Sequence, residues 1–263
     1  MYLKRLLFVV VFFFFSCEPG EEFLPTNPLD PDNEEYIPPE VTILYPSEGV
    51  IVEQSSVNFQ WAGNQADMQF RYSFDNEWSD WVSDEAVTIN YINEGVHTFS
   101  VQSSYLTGAA SEIVTINFNV DAVTGPAIMF YPRKHIATQG SNVVFQIMAE
   151  EVYELAAAEF RITFNPDDLQ VNSITSGSGF STMGDVVFIP DIDNTNGSVT
   201  ISTAVWGQNY PSISGTSDIA ILDVQIIKQG THQLELDGTE LFRDPSNNDI
   251  TINETVSGLV IVE

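Results

Sequence analysis

A single cysteine, Cys17, occurs among the 263 residues. An intrachain disulfide and a cysteine-based metal cluster are therefore both excluded. Positive charge is scarce too: 8 Lys+Arg stand against 37 Asp+Glu, for a formal net charge of −29. A surface of that sign repels nucleic acid and anionic headgroups, so no nucleic-acid partner is expected. It favours solubility and tolerates cationic partners. The three histidines, His97, His135 and His232, are isolated, without the spacing of a metal-ligand pair. No nucleophile elbow or phosphate-binding glycine loop occurs. Carboxylates are abundant, but nothing singles out two at the separation of about 5–9 Å that glycoside hydrolysis needs. The expectation is a protein that is not an enzyme, with no cofactor and no metal.

Long apolar runs are also lacking, save one. Leu6 to Phe15 is ten residues of unbroken hydrophobicity behind Lys4 and Arg5, and Ser16-Cys17 closes it. Ten residues are too few to cross a hydrocarbon core, which takes about 20 in a helix. The length and charge order suit a signal-peptide apolar region. A small residue before a lone cysteine at the end of such a region resembles a bacterial lipobox, although Phe14 and Phe15 depart from its commoner residues. The resemblance implies a leader over 1–16, cut before Cys17, and lipid attachment at Cys17. The location implied is the cell envelope: the acidic residues after Cys17 resemble export signals that lead to the outer membrane or cell surface, while Glu18 in the second mature position resembles an inner-membrane retention signal. Several acyl chains, at about 0.8 kcal/mol per buried methylene, hold a protein on a bilayer where one chain does not.

Residues 17–39 read as an acidic, proline-rich tether. Glu18 to Glu40 holds six prolines and eight acidic residues with no basic one. Such composition buries too little apolar surface to offset ordering entropy, and like charges keep it extended.

From Val41 onward apolar residues alternate with polar ones, and Gly, Asn, Asp, Ser and Pro clusters punctuate the pattern. This is the signature of all-β sandwiches. Val57, Phe59 and Trp61 share one phase, as do Phe70, Tyr72 and Phe74. Residues 40–121 therefore form one sandwich of about seven strands. Phe59-Gln60-Trp61, Phe70 to Phe74, Trp78-Ser79-Asp80-Trp81 and Gly95 to Val101 give this segment a resemblance to immunoglobulin-like or fibronectin type III-like modules. That resemblance implies a spacer. Trp78 and Trp81 are read as core residues, and His97 as a packing residue at the sandwich edge. A short hinge over 122–126, with Gly125-Pro126, leads to a second domain over 127–263.

There, Ala158, Phe160, Ile162 and Phe164 alternate with Glu159, Arg161 and Thr163, the clearest strand in the chain. About nine strands follow from the same rule. Asp191 to Gly197 resembles half of a calcium loop, but an Asn-Gly hairpin turn is the better reading. Gly140 to Phe145, then Leu155 to Val171 with its Asn165-Pro166-Asp167-Asp168-Leu169 turn, then Gly197 to Ser202, Gly215 to Val224 and Gly258 to Val262, resemble a cohesin domain in order. Asn165 stands where Asp usually precedes the turn proline, and Ala157 where a polar contact residue is common. The resemblance implies a nine-strand jelly roll whose sheet face binds a dockerin or another protein. Carried over by position, the contact residues are Glu159, Arg161, Thr163, Asn165, Thr200 and Ser202. The loop Val205 to Pro211 offers a rival use: exposed, Trp206 and Tyr210 would stack on a polysaccharide or anchor a protein interface, and turned inward they would cap the end of the core. A purely structural envelope protein is the third reading.

Overall fold

The computed structural model describes residues 26–207 and 211–263. Period-two alternation puts one side of each segment in contact with apolar neighbours and the other in water, and strands accordingly make up most of the chain. The first module contains β1 (Val41–Tyr45), β2 (Ile51–Val52), β3 (Val57–Gly63), β4 (Gln69–Phe74), β5 (Glu77–Trp78), β6 (Ala86–Ile89), β7 (Gly95–Ser104) and β8 (Val114–Val120). They form two sheets, β1-β3-β6 and β2-β8-β7-β4-β5. Phe59 and Trp61 of β3 meet Phe70, Phe99 and Phe118 of the other sheet, all fully buried. Phe59 and Phe99 stack with centroids 4.0 Å apart.

Of the expected tether, residues 26–39 are described, and they are not extended. Side-chain oxygens of Asn27, Asp30 and Asn33 each accept a backbone N–H two residues ahead, at 3.0, 3.1 and 2.7 Å. These are Asx turns, which bend the chain locally. Leu29 and Tyr36 then pack against the first core, and the Tyr105 hydroxyl donates to the Ile37 carbonyl at 3.0 Å. Composition missed this because a few apolar contacts and local side-chain caps suffice to order a short stretch.

The second module runs β9 (Ala127–Tyr131), β10 (Lys134–Ala137), β11 (Asn142–Leu155), β12 (Ala157–Thr163), β13 (Leu169–Ser176), the single-turn α1 (Ser178–Ser181), β14 (Asp185–Asp193), β15 (Ser198–Trp206), β16 (Ile213–Ile226), β17 (Gly230–Leu236), β18 (Leu241–Arg243), β19 (Asp249–Ile250), β20 (Glu254–Val256) and β21 (Gly258–Val262). One sheet has the order β10-β21-β17-β12-β15-β14, with β18 and β19 attached through β12; the other is β13-β16-β11-β9-β20. The two enclose one core built on Phe130, Phe145, Phe160, Phe180 and Phe242. This is the expected all-β jelly roll. It has more segments than nine because long strands are broken. β9 and β10 carry the chain from one sheet to the other across Pro132-Arg133, and β17 and β18 pair with the same strand, β12, on either side of residues 237–240.

The junction between the modules is pinned. The N–H groups of Thr124 and Gly125 donate to Glu254 and Glu151, both at 3.1 Å. Val123 is buried with Ala127 and Met129. Across the junction Arg133 Nη2 meets Glu94 Oε1 at 2.8 Å, and the Arg133 N–H donates to Asn93 Oδ1 at 2.8 Å. The segment 122–126, expected as a hinge, is held from both sides.

Candidate protein-binding face

The outer face of the β12-β15-β14 sheet is set by register. On β12 the residues Ala158, Phe160 and Ile162 are buried, so Ala157, Glu159, Arg161 and Thr163 point outward. Opposite them on β15 lie Ala204, Ser202, Thr200 and Ser198. Beyond these, on β14, lie Val187, Ile189, Asp191 and Asp193. On the other flank Arg243 and Leu241 of β18 stand beside Ala157 and Glu159.

Two rows of this face carry its exposed apolar side chains, interspersed with Arg243, Glu159 and Ser202. The first is Arg243–Ala157–Ala204–Val187 and the second Leu241–Glu159–Ser202–Ile189. Ile189 is 62% exposed, Val187 46% and Leu241 44%. They line one shallow depression with Ala157, Ala204 and Glu159. Four strands spaced about 4.8 Å apart span roughly 14 Å, the length of about nine residues of an α-helix laid across them at about 1.5 Å per residue. The next rows turn polar. Arg161 Nη2 donates to Ser198 Oγ at 3.1 Å, and its Nε lies 4.0 Å from Asp237. Thr200 pairs with Asp191.

Five of the six residues expected at a partner surface, Glu159, Arg161, Thr163, Thr200 and Ser202, thus share one face. Asn165 lies off it, in the turn after β12. Its amide donates to Asp168 Oδ2 at 2.7 Å and its Oδ1 accepts the Asp167 N–H at 3.2 Å. Trp206 was expected in a loop and instead ends β15, in the outward phase of Ala204 and opposite Asp185. At 74% exposure it caps no core. It extends the same face, so one residue of the rival set joins those expected at a partner surface. Tyr210 lies outside the described residues, as does Cys17.

Val187, Ile189 and Leu241 escaped sequence reasoning. The run Val186 to Ile189 is apolar throughout, so alternation does not reveal which members face out. Once β14 is known to be an edge strand paired only with β15, parity with Ala204 and Ser202 assigns Val187 and Ile189 to the outer face.

Elsewhere, Trp78 and Trp81 are not core residues, contrary to expectation. Both are exposed and flank the Arg71 guanidinium, which lies 4.8 and 5.1 Å from their ring centroids. Arg71 is further held by Gln102 Oε1 at 2.9 and 2.7 Å. Each such contact contributes roughly 0.5–1 kcal/mol at an exposed site, which gives both rings a surface role. His97 is buried and stacks on Phe74. Its Nδ1 lies 2.7 Å from Asp75 and its Nε2 2.9 Å from the Asn93 carbonyl. The 191–197 segment is a hairpin turn: Asp193 accepts the N–H groups of Thr195 and Asn196 at 3.0 Å. Those bonds, with the Asn196 amide foremost, hold the Asp193 carboxyl below its ordinary range. Among the described residues no group of three carboxylate, histidine or cysteine side chains is placed to hold a metal ion. No described helix is long and apolar enough to cross a membrane.

Residues 132–262 match the cohesin domain family. Similar solved structures include a non-cellulosomal cohesin from the hyperthermophilic archaeon Archaeoglobus fulgidus, at 18% identity over 52% of this chain and 90% of that one, with a TM-score of 0.43. A type II cohesin domain from the cellulosome of Acetivibrio cellulolyticus is 14% identical, over 51% of this chain and 94% of that one, TM-score 0.45. A type I cohesin–dockerin complex from Clostridium thermocellum aligns at 14% identity over 53% and 96%, TM-score 0.44. No curated protein matches the chain.

Proposed function

We propose, from the cohesin domain of residues 132–262, that this chain is a cell-envelope lipoprotein displaying a non-catalytic protein-binding module. The observation that carries the reading is the apolar depression over β18, β12, β15 and β14. Exposed apolar groups clustered on one face of a chain this acidic mark an interaction surface. The partner is a dockerin-bearing protein that lays a helix over Val187, Ile189 and Leu241, with Trp206 as an aromatic anchor at one end. Glu159 within the depression and Asp191 at its margin favour basic residues on that helix. The first module, with its immunoglobulin- or fibronectin type III-like pattern, serves as a spacer, and acylated Cys17 as the membrane anchor.

The test is affinity capture from the source organism's secreted proteins on the lipid-free chain, compared with an Ile189→Asp variant. Recovery of dockerin-bearing proteins by the parent and not by the variant supports the reading. A glycan array that lights up and loses its signal with Trp206→Ala would replace it with polysaccharide binding. Fractionation tests the anchor: Cys17→Ala is expected to move the protein from membrane to soluble fractions, and a variant that stays membrane-bound refutes lipidation.

A further inference from the structure

A second pocket lies on the opposite sheet of the jelly roll, where the two modules meet. It has a volume of about 450 Å3. The first module contributes Glu94 and Asp121, and the second Glu150 and Glu151. Consecutive strand residues ordinarily face opposite ways. Here β11 is bulged between Ala149 and Val152, with Glu151 at a φ of +49°. A bulge re-aims side chains, and both Glu150 and Glu151 line the pocket.

The carboxylates are not equally satisfied. Glu94 is paired with Arg133 and accepts the Ala122 N–H at 2.9 Å. Glu151 accepts the Gly125 N–H. Glu150 is 8% exposed. Its Oε1 accepts the Thr216 hydroxyl at 2.7 Å, while its Oε2 is buried with no hydrogen-bond partner among the described residues. Leaving such an oxygen unmatched is costly, so the site is built for a donor that comes from outside. Beside the polar Asn119, Gln146 and Thr216, the apolar lining is Met129, Met148, Val120 and Tyr131. They would cover an aliphatic stem, not a hydrated ion. No three of the acidic groups converge as metal ligands do.

We propose that this inter-module pocket receives a lysine or arginine side chain from a partner protein, its stem against Met129 and Met148 and its head on Glu150. Lys and Arg carry this combination of apolar stem and cationic tip. A cationic occupant would bridge the two modules, since each supplies two of the carboxylates. The proposal is independent of the β14–β15 face and stands if that face binds nothing.

The test uses the chain labelled with 13C at its methionine methyls, of which the sequence has five. Acetyl-Gly-Arg-Gly-amide is titrated at low ionic strength, with the citrulline peptide as the neutral, near-isosteric control. Saturable shifts at Met129 and Met148, without shifts at Met68 and Met183, are expected. The citrulline peptide should bind at least tenfold more weakly, and Glu150→Gln should weaken the arginine peptide at least fivefold. Asp121→Asn, at the rim, should weaken it about twofold and guards against a misfolded Glu150 variant. Equal binding of both peptides, no shift at Met129 and Met148, or unchanged affinity in both variants would overturn the proposal.

Discussion

Replacing Arg133 by Met should destabilise the protein by about 3 kcal/mol and loosen one module from the other. The Arg133 and Glu94 side chains are 8% and 13% exposed, and their N–O separation is 2.8 Å. Removing one partner of a buried pair typically costs about 3–5 kcal/mol, because the other charge is left desolvated. Here the stranded Glu94 keeps the Ala122 N–H, which argues for the lower end of that range. It would also lie near Glu150, another carboxylate. The neutral double variant Arg133→Met/Glu94→Gln leaves no buried charge and should recover more than half of the loss. Urea unfolding followed by tryptophan fluorescence measures this, since Trp61, Trp78 and Trp81 report on the first module and Trp206 on the second. The parent should unfold in one transition, and the single variant in two or in one broadened transition. Raising salt from 0.05 to 0.5 M should change the parent's stability little, as buried pairs are weakly screened. A single variant within 0.5 kcal/mol of the parent, or a double variant as unstable as the single, would refute the argument that this pair fastens the modules.

Two further perturbations follow from local geometry. Gly197 sits at a φ of +68°, and a Cβ there would lie 2.1 Å from the Phe164 carbonyl oxygen. Gly197→Ala should therefore cost more than the roughly 1–2 kcal/mol of the left-handed backbone alone, read as a lowered urea midpoint. Glu150 and Asp168 should move stability with pH in opposite directions. Burial pushes the Glu150 carboxyl above its ordinary range, with Glu94, Glu151 and Asp121 adding to the effect against the Thr216 hydrogen bond. Its favourable contribution is complete below the ordinary carboxylate range and is lost as pH rises through the raised value. Glu150→Gln should thus raise the melting temperature at pH 7 and do little at pH 3. The hydrogen bond from Lys228 holds Asp168 below its ordinary range, with Lys228 and His232 charges assisting. Its contribution is present above the ordinary range and fades as pH falls through the depressed value. Asp168→Asn should lower the melting temperature at pH 7, with the deficit closing in acid; a pH-independent deficit would refute the assignment.

Strand identity was legible because many core strands obey period two, whereas β9 and β21 are buried at consecutive residues. Ala158, Phe160 and Ile162 are buried while Glu159 and Arg161 are exposed, as alternation requires. What alternation does not encode is how strands lie side by side. Glu159 and Ile189 are 30 positions apart in sequence and come to flank Ser202 in one row only through the β12-β15-β14 order. The same holds for the junction, where Glu94 and Glu150 come from different modules. Trp78 and Trp81 were misread because hydrophobicity was equated with burial, whereas Arg71 on the adjacent strand supplies a surface role. The inverse error applies to residues 26–39, whose acidity hid a set of Asx turns.

An exposed strand edge beside an apolar face invites pairing with a second copy, so β14 poses a question about self-association. Its sequence answers in chemical terms. Asp185, Asp191 and Asp193 punctuate it, and Pro190 removes one N–H from the free edge. Charge and proline on an edge strand are the usual barriers to sheet extension. Two edges brought together would also juxtapose six of these aspartates in a chain already at −29. The face remains open to a ligand while the edge is closed to a copy, which suits a helix laid across the strands and not a strand added beside them. Pro190→Val with Asp191→Val should remove the proline and the central charge, leaving Asp185 and Asp193 at the strand ends. Sedimentation velocity at 0.15 M salt should show the parent as a monomer and the double variant as a concentration-dependent dimer or larger species. Added Ile189→Asp should leave that association largely intact, because it alters the face and not the edge. A double variant that stays monomeric at 100 μM would show that the edge is protected by something other than these two residues.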